Sequence, residues 1–121
     1  MNTRQFVLAA AAASLIGGAA YAQGALVEIG DNVQVAPFNA TVDQIDDWDV
    51  FNMAGTEVGE VEEVVGTDAN TPTALVVDFE GNEGYADRDV VIPFDQFSLD
   101  NNRLTLRSDP AAVGQMETWN D

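Results

Sequence analysis

The sequence contains no cysteine, no histidine and no lysine, and each of these absences excludes a class of chemistry. Without cysteine the chain has no disulfide, no thiolate metal ligand and no thiol nucleophile. Without histidine it lacks the commonest general base and the commonest transition-metal ligand in proteins. Its four basic residues are all arginines, against 21 Asp and Glu, which gives a formal charge of −17. Because binding to a phosphate backbone requires Lys and Arg to release counterions, we expect no interaction with nucleic acid.

Length and apolar content together indicate one folded domain. The chain has 121 residues, of which 46% are hydrophobic, and ordinary globular domains have about 45–50% apolar residues. A large acidic excess without lysine is typical of salt-adapted proteins, in which bulk ions screen the repulsion between surface carboxylates. That interpretation explains the composition without any specific binding site.

The first 22 residues have the pattern of a secretory signal peptide. A short leading region contains Arg4, an apolar stretch follows from residue 6 to residue 16, and Ala20-Tyr21-Ala22 supplies small residues before a cleavage point. A membrane helix needs about 20 apolar residues, and Gly17-Gly18 interrupts this stretch too early. We therefore predict cleavage near Ala22, a periplasmic or secreted location and no membrane span. The mature chain would keep all 21 acidic residues and three arginines, a formal charge of −18.

After this leader, short apolar segments alternate with turn residues, which is typical of a small all-β domain. Residues 23–40 form an N-terminal segment that the pattern leaves open, as either a strand or disordered chain. Residues 66–72 are predicted as a turn, and Gly59 predicts a bend or bulge in its strand. Strands are predicted over residues 26–29, 33–35, 50–52, 57–65, 73–79, 89–94, 96–99 and 103–106.

Two short helical segments are also indicated. Thr41 and Gln44 have the spacing of a capping box at the start of a helical turn. Asp109-Pro110 predicts the start of a short C-terminal helix over residues 111–116. Short strands at close spacing with only these helices predict a small antiparallel β-barrel or sandwich. Its predicted core consists of Val58, Val61, Leu75, Val77, Val90, Ile92 and Leu104.

Five segments in this order and spacing resemble the PRC-barrel domain family. The opening segment runs over residues 49–64, with Gly55 at its turn, and the next strand covers residues 74–78. Residues 88–95 resemble the family's third block most closely. Residues 103–106 and the closing Met116-Glu117 complete the series, so the resemblance covers residues 41–121. The loop over residues 81–88 departs from the family pattern, because it carries Asn82, Glu83, Tyr85 and Asp87 where relatives often have an apolar, glycine-rich turn.

The resemblance implies a small β-barrel of short, strongly bent strands that acts as an interaction or assembly module. The family's settings include the cytoplasmic subunit of photosynthetic reaction centres, a ribosome-maturation factor and many standalone bacterial proteins. For this chain we expect a non-catalytic module, exported to the cell envelope, that binds an unidentified protein partner. A homo-oligomer is left open. We expect no cofactor.

Three aromatic residues are candidates for the contact surface, because Trp and Tyr are enriched at binding hot spots. Trp48 lies among aspartates, Tyr85 lies in the divergent loop and Trp119 lies in the C-terminal tail. Filling of the core is the alternative role for such residues, and for Phe51 we favour it.

The alternative function is a module that binds cations or a small ligand through acidic residues. Calcium prefers six to eight oxygen ligands, which carboxylates can supply. No EF-hand spacing is met, however, and a solvated acidic surface accounts for the same residues, so only weak cation binding is expected. Asp87 and Asp89 flank Arg88 and could share a face, but general acid–base work also needs a pocket. We therefore predict no catalytic residue and no enzyme. The acidic residues considered form two groups, Asp43, Asp46, Asp47 and Asp49, and Glu57, Glu60, Glu62 and Glu63.

Overall fold

The computed structural model describes residues 25–120, so the predicted leader and its cleavage site near Ala22 lie outside the described residues. Within that range the chain forms nine short strands, two short α-helices and two 3-10 turns. The helices are α1 (Val42–Ile45) and α2 (Pro110–Gly114), and the 3-10 turns are Ala36–Phe38 and Phe94–Gln96. The strands are β1 (Val27–Glu28), β2 (Gln34–Val35), β3 (Ala40–Thr41), β4 (Asp49–Phe51), β5 (Glu57–Asp68), β6 (Thr71–Phe79), β7 (Asp89–Pro93), β8 (Phe97–Asp100) and β9 (Arg103–Leu106).

Seven of the strands form one curled, half-barrel sheet, which confirms the predicted all-β architecture of the PRC-barrel type with a short C-terminal helix. The strand order is β7-β6-β5-β4-β9-β8, and β1 pairs with the far end of β5. Neighbouring strands are antiparallel except β4 and β9, which run parallel with Leu104 opposite Val50. β2 and β3 pair separately as a two-stranded sheet. Part of the N-terminal segment, Val27–Glu28, therefore forms strand β1 of the main sheet.

β5 pairs with β4 along its first half and with β1 along its second half, and bulges bend the strand so that it can do both. Along β4 the register passes from Gly59 directly to Glu57, so Val58 is an extra residue at the predicted bulge. A β-carbon on Gly59 would overlap the backbone carbonyl of Asp78, so only glycine fits this crossing. Glu62 is the extra residue of a second irregularity along β6. The first half of β5 thus pairs with β4 and its second half pairs with β1.

The predicted turn over residues 66–72 is wrong in extent. β5 continues through Asp68 and β6 begins at Thr71, so the turn consists of Ala69 and Asn70 alone. A carboxylate oxygen of Asp68 holds it by accepting hydrogen bonds of 2.9 Å from the Asn70 amide and the Thr71 hydroxyl. Gly66 suggested a turn in the sequence, but it lies inside the hairpin, where the strands approach too closely for a side chain.

Capping and turn chemistry follow the sequence closely. The backbone N–H of Gln44 donates to the Thr41 hydroxyl at 3.3 Å, and the backbone N–H of Thr41 donates to the Gln44 side-chain oxygen at 2.9 Å. These two bonds form the predicted capping box. Asn101 and Asn102 have φ of 54° and 63° between β8 and β9, the left-handed conformation that Asn tolerates in tight hairpins. Asp109 caps α2 by accepting from the Ala112 amide at 2.8 Å.

The main core lies inside the curl of the sheet. All seven residues predicted for it are buried, with at most 2% of their surface exposed. A second, smaller apolar cluster lies on the opposite side of the sheet. Side chains alternate between the two faces of a strand, so β6 sends Leu75 and Val77 into the main core and Val76 into the second cluster. This second side of the sheet positions the candidate site. Its cluster consists of Val65, Ala74, Val76, Val91 and Trp119, with Leu26 packed against it.

Candidate interaction surface

The side of β5, β6 and β7 turned away from the main core, here called the outer face, combines an apolar end with an acidic end. The register across the three strands places residues directly opposite one another, and such residues share a face. At one end Val65, Ala74 and Pro93 are in register, and at the other end Glu60, Asp78 and Asp89 are in register. Val76 and Val91 pair between these two ends. The outer face thus changes from apolar to acidic along the strands.

The acidic end is a row of four carboxylates on four adjacent strands. Asp49 of β4 lies opposite Glu60 of β5, Glu60 lies opposite Asp78 of β6, and Asp78 lies opposite Asp89 of β7. We call these four residues the acidic row. Like charges directly opposite each other destabilise a sheet. The carboxylates of the acidic row therefore repel one another in the folded protein, and a cationic partner would reduce that repulsion.

The pKa values of carboxyl groups in and beside the acidic row reflect this crowding. Burial raises the pKa of Asp78 above its ordinary value of 3.8, and the neighbouring Asp89 raises it further by its charge and a hydrogen bond. Desolvation, followed by the charge of Asp49, likewise raises the pKa of Glu57. Carboxylate oxygens of Glu62, Asp78 and Asp89 lie within 4.8 Å of one another, close enough to share a cation. Three such oxygens supply only part of the six to eight that calcium prefers.

The two acidic groups considered in the sequence are redistributed by the fold. Glu62 converges with Asp78 and Asp89, which come from different strands and belonged to neither group. Asp46 faces a different, small cavity of about 200 Å³, together with Asp31 and Glu63. Burial, followed by the charges of neighbouring aspartates, raises the pKa of Asp46. Proximity in sequence therefore did not identify which carboxylates meet.

The apolar end of the outer face opens into a groove of about 560 Å³. Its floor is formed by strands β5 to β7, one wall by Leu26 just before β1, and the other wall by the segment that follows α2. Exposed Thr67, half-buried Thr73 and, after α2, Gln115 and Glu117 add the polar groups of the lining. The groove is consequently a continuation of the second apolar cluster that the fold leaves open. Its main lining residues are Leu26, Thr67, Ala74, Val91, Pro93 and Met116.

The segment after α2, residues 115–120, is fixed along the outer edge of β7 and is here called the tail. The Val91 amide donates to the Glu117 carbonyl and the Trp119 amide donates to the Asp89 carbonyl, both at 2.9 Å. Arg88 adds a hydrogen bond of 3.0 Å to the Val113 carbonyl at the end of α2. The tail therefore covers the edge of the sheet and holds one wall of the groove in place.

The three aromatic candidates do not form a single exposed patch. Tyr85 is only 5% exposed, stacks on Phe79 at a centroid distance of 4.9 Å, and donates its hydroxyl to the Ser108 carbonyl at 2.6 Å. Burial, followed by the charge of Asp109, raises its pKa. Trp119 is 8% exposed and covers part of the second apolar cluster. Trp48 is half-buried, with its ring edge-on to Phe38.

Phe51 is partly buried rather than enclosed in the core, and the Arg103 guanidinium lies 4.3 Å from its ring centroid.

Asp87 is exposed beside half-buried Asp89. The carboxylate that contacts Asp89 is Asp78 of the adjacent strand. Sequence reasoning thus missed the cross-strand neighbours, since alternation indicated the face of each residue but not its partner.

The curled sheet of short, bent strands with two short helices defines a small barrel-type β-domain. The PRC-barrel domain matches residues 39–113, more than half of the chain. The chain therefore belongs to the PRC-barrel domain family, and this membership suggests a small interaction or assembly module. Comparison with curated proteins found no match. In the part that the structure describes, no helix is long and apolar enough to cross a membrane.

Proposed function

We propose that this protein is a non-catalytic interaction or assembly module exported to the periplasm or the exterior of the cell. The observation that carries the interaction function is the outer face of a PRC-barrel sheet, where an open apolar groove adjoins the acidic row. An open apolar patch rimmed by polar residues is typical of a protein-binding surface. The absence of histidine and cysteine from the sequence supports a non-catalytic role.

Export is supported by the leader pattern of the first 22 residues. Expression of the full chain in its native cells followed by fractionation should place the protein outside the cytoplasm. Mass spectrometry of the recovered protein should give an N-terminus at Gln23. An intact leader on protein found in the cytoplasm would contradict this part of the proposal.

The interaction function is tested by cross-linking in intact native cells, followed by purification of the tagged protein. A specific protein should co-purify in stoichiometric amount. The control is Leu75→Asp, which places a charge at a position with no exposed surface and disrupts the barrel. If the folded protein and this control recover the same background proteins, the interaction function is wrong.

Binding of a cation is the second candidate, and the convergence of Glu62, Asp78 and Asp89 favours it. A specific site predicts that calcium raises the melting temperature more than sodium chloride does at matched ionic strength. The double variant Asp78→Asn/Asp89→Asn should lose that difference. Equal effects of the two salts would leave only general screening of charge.

A further inference from the structure

The groove and the acidic row lie at two ends of the same sheet face, separated by Val76 and Val91, which are buried in the cluster that Trp119 joins. Both lie on the outer face, the groove around Ala74 of β6 and the row at Asp78 of the same strand. Four residues of strand separate these positions, which is about 13 Å at roughly 3.3 Å per residue. A single extended or helical segment of a partner can therefore reach both ends.

The rest of the chain covers the apolar end of the outer face only in part. Trp119 closes part of the second apolar cluster, whereas the groove between Leu26 and Met116 stays open. Burying the remaining apolar surface would contribute about 25 cal/mol for each Å² removed from water. The occupant must therefore supply apolar side chains.

The acidic end determines the charge of that occupant. The three arginines of the described residues have other contacts: Arg88 donates to α2 and the tail, Arg103 lies over Phe51, and Arg107 donates to the Asp95 carbonyl. The row meanwhile places four carboxylates in cross-strand register. An occupant with lysine or arginine beside its apolar side chains would satisfy both ends of the face.

We propose that the outer face binds a basic, apolar segment of a partner protein, with the apolar side chains in the groove and the basic side chains along the acidic row. This proposal rests on the interaction function proposed above and specifies its surface and its partner chemistry. A second copy of this chain fits less well, because in its mature form it would bring the same formal charge of −18 to the interface. Complementary charge also accelerates association, an effect that salt reduces.

The test uses three synthetic peptides of equal length and calorimetric titration. The first combines lysines with leucines, the second has glutamate in place of each lysine, and the third has serine in place of each leucine. We expect binding of the first peptide only, and weaker binding as sodium chloride rises. Equal binding of the glutamate peptide or the serine peptide would overturn the proposal.

Two pairs of matched variants locate the binding. Thr67→Arg adds bulk and positive charge to an exposed position in the groove, and Thr56→Arg makes the same change at an exposed position in the turn before β5. Asp78→Asn removes a charge from the row, and Asp100→Asn removes one from the exposed β8–β9 hairpin. We expect Thr67→Arg and Asp78→Asn to weaken binding about tenfold or more, and the two controls to change it less than about twofold. Equal effects within each pair would place the binding elsewhere and overturn the proposal.

Two further outcomes separate this proposal from the general interaction function. If a partner still co-purifies with Thr67→Arg in undiminished amount, the protein is an interaction module but this face is not its site. If sedimentation equilibrium shows a dimer that Thr67→Arg dissociates, the occupant is a second copy and the proposed partner chemistry is wrong. Loss of the partner with Thr67→Arg but not with Thr56→Arg supports the proposal, provided that both variants melt at the temperature of the unmodified protein.

Discussion

The guanidinium of Arg88 donates a hydrogen bond of 2.6 Å to the hydroxyl of Thr118, thirty residues later in the chain. The same side chain also donates to the Val113 carbonyl, so one arginine joins the start of β7 to both α2 and the tail. Because Met116 and Glu117 of the tail line the groove, this contact holds the proposed binding surface in shape. The position of the tail is therefore set by a residue from a distant part of the sequence.

Removal of this side chain should loosen the tail. We expect Arg88→Ala to lower the free energy of unfolding by about 1.5–3 kcal/mol, since hydrogen bonds to charged groups contribute about that much. Urea denaturation measures the loss, and hydrogen exchange should accelerate at the amides of Val91 and Trp119, which bond across the tail. Thr118→Val is the milder comparison, with an expected loss of about 0.5–1.5 kcal/mol. Unchanged exchange at both amides in Arg88→Ala would show that the tail does not depend on this residue.

Mild acidification should stabilise the protein, contrary to the usual behaviour of acidic side chains. Burial and the neighbouring Asp89 raise the pKa of Asp78 above 3.8, so the folded state binds this proton more tightly than the unfolded state does. Such a group contributes stability below its unfolded pKa and loses it as pH rises through the folded pKa. The melting temperature should therefore increase as pH falls from neutrality toward 3.8. Asp78→Asn should raise the melting temperature at neutral pH and flatten this dependence, and an equally steep dependence in the variant would contradict the assignment.

Salt should also stabilise the fold. The acidic row sets like charges opposite one another on four strands, and mobile ions screen such repulsion. We expect the melting temperature to rise with sodium chloride and to rise equally with potassium chloride. The Asp78→Asn variant should gain less from salt than Asp100→Asn, whose charge lies on the hairpin. A melting temperature that is constant from low to high salt would show that repulsion between these carboxylates does not measurably lower the stability of the fold.

The β5–β6 hairpin depends on glycine at its crossing points. A β-carbon on Gly66 would overlap the Thr71 carbonyl oxygen, whereas one on Gly114 in α2 would meet nothing within 4 Å. We expect Gly66→Ala to destabilise the fold by about 1–3 kcal/mol or more, through forced backbone shifts. Gly114→Ala is the matched control and should stabilise by about 0.4–1 kcal/mol, because alanine reduces the freedom of the unfolded chain. Denaturant titration measures the free energy of unfolding of both variants. Equal stability of the two would argue against the close approach of the strands at Gly66.

Tyr85 should contribute mainly to packing. Its ring stacks on Phe79 and its hydroxyl donates to the Ser108 carbonyl. Tyr85→Phe keeps the stacked ring and removes only the hydrogen bond, so we expect a loss of about 0.5–1.5 kcal/mol. Tyr85→Ala should cost about 3–5 kcal/mol, because it also leaves a cavity. Binding of the lysine–leucine peptide by Tyr85→Phe should be unchanged, and a marked loss would indicate that this loop belongs to the binding surface.

Local features of the fold could be predicted because their causes act over a few residues. The capping box of Thr41 and Gln44 and the cap at Asp109 each depend on side chains within three positions of the backbone that they satisfy. The Asn101-Asn102 turn depends on the left-handed backbone of its own two residues. The core residues predicted on β6 and β7 are buried, as expected for Leu75, Val77, Val90 and Ile92. The residues between them are buried as well, because the second apolar cluster covers the other face of these strands. The extent of the β5–β6 turn was wrong because Gly66 signals a close backbone approach as readily as a turn.

The sequence by itself determined the all-β class, the core, the caps and the acidic character of this protein. Only the tertiary structure decided which acidic residues are neighbours, because the register that aligns Glu60, Asp78 and Asp89 depends on bulges and on contacts between distant strands. The groove likewise requires Leu26 and Met116, ninety positions apart in sequence, to approach the same sheet face. Side-chain alternation and turn chemistry act locally and can be inferred from neighbouring residues. Register and surface shape result from packing the whole chain around one core, so they follow only from the assembled fold.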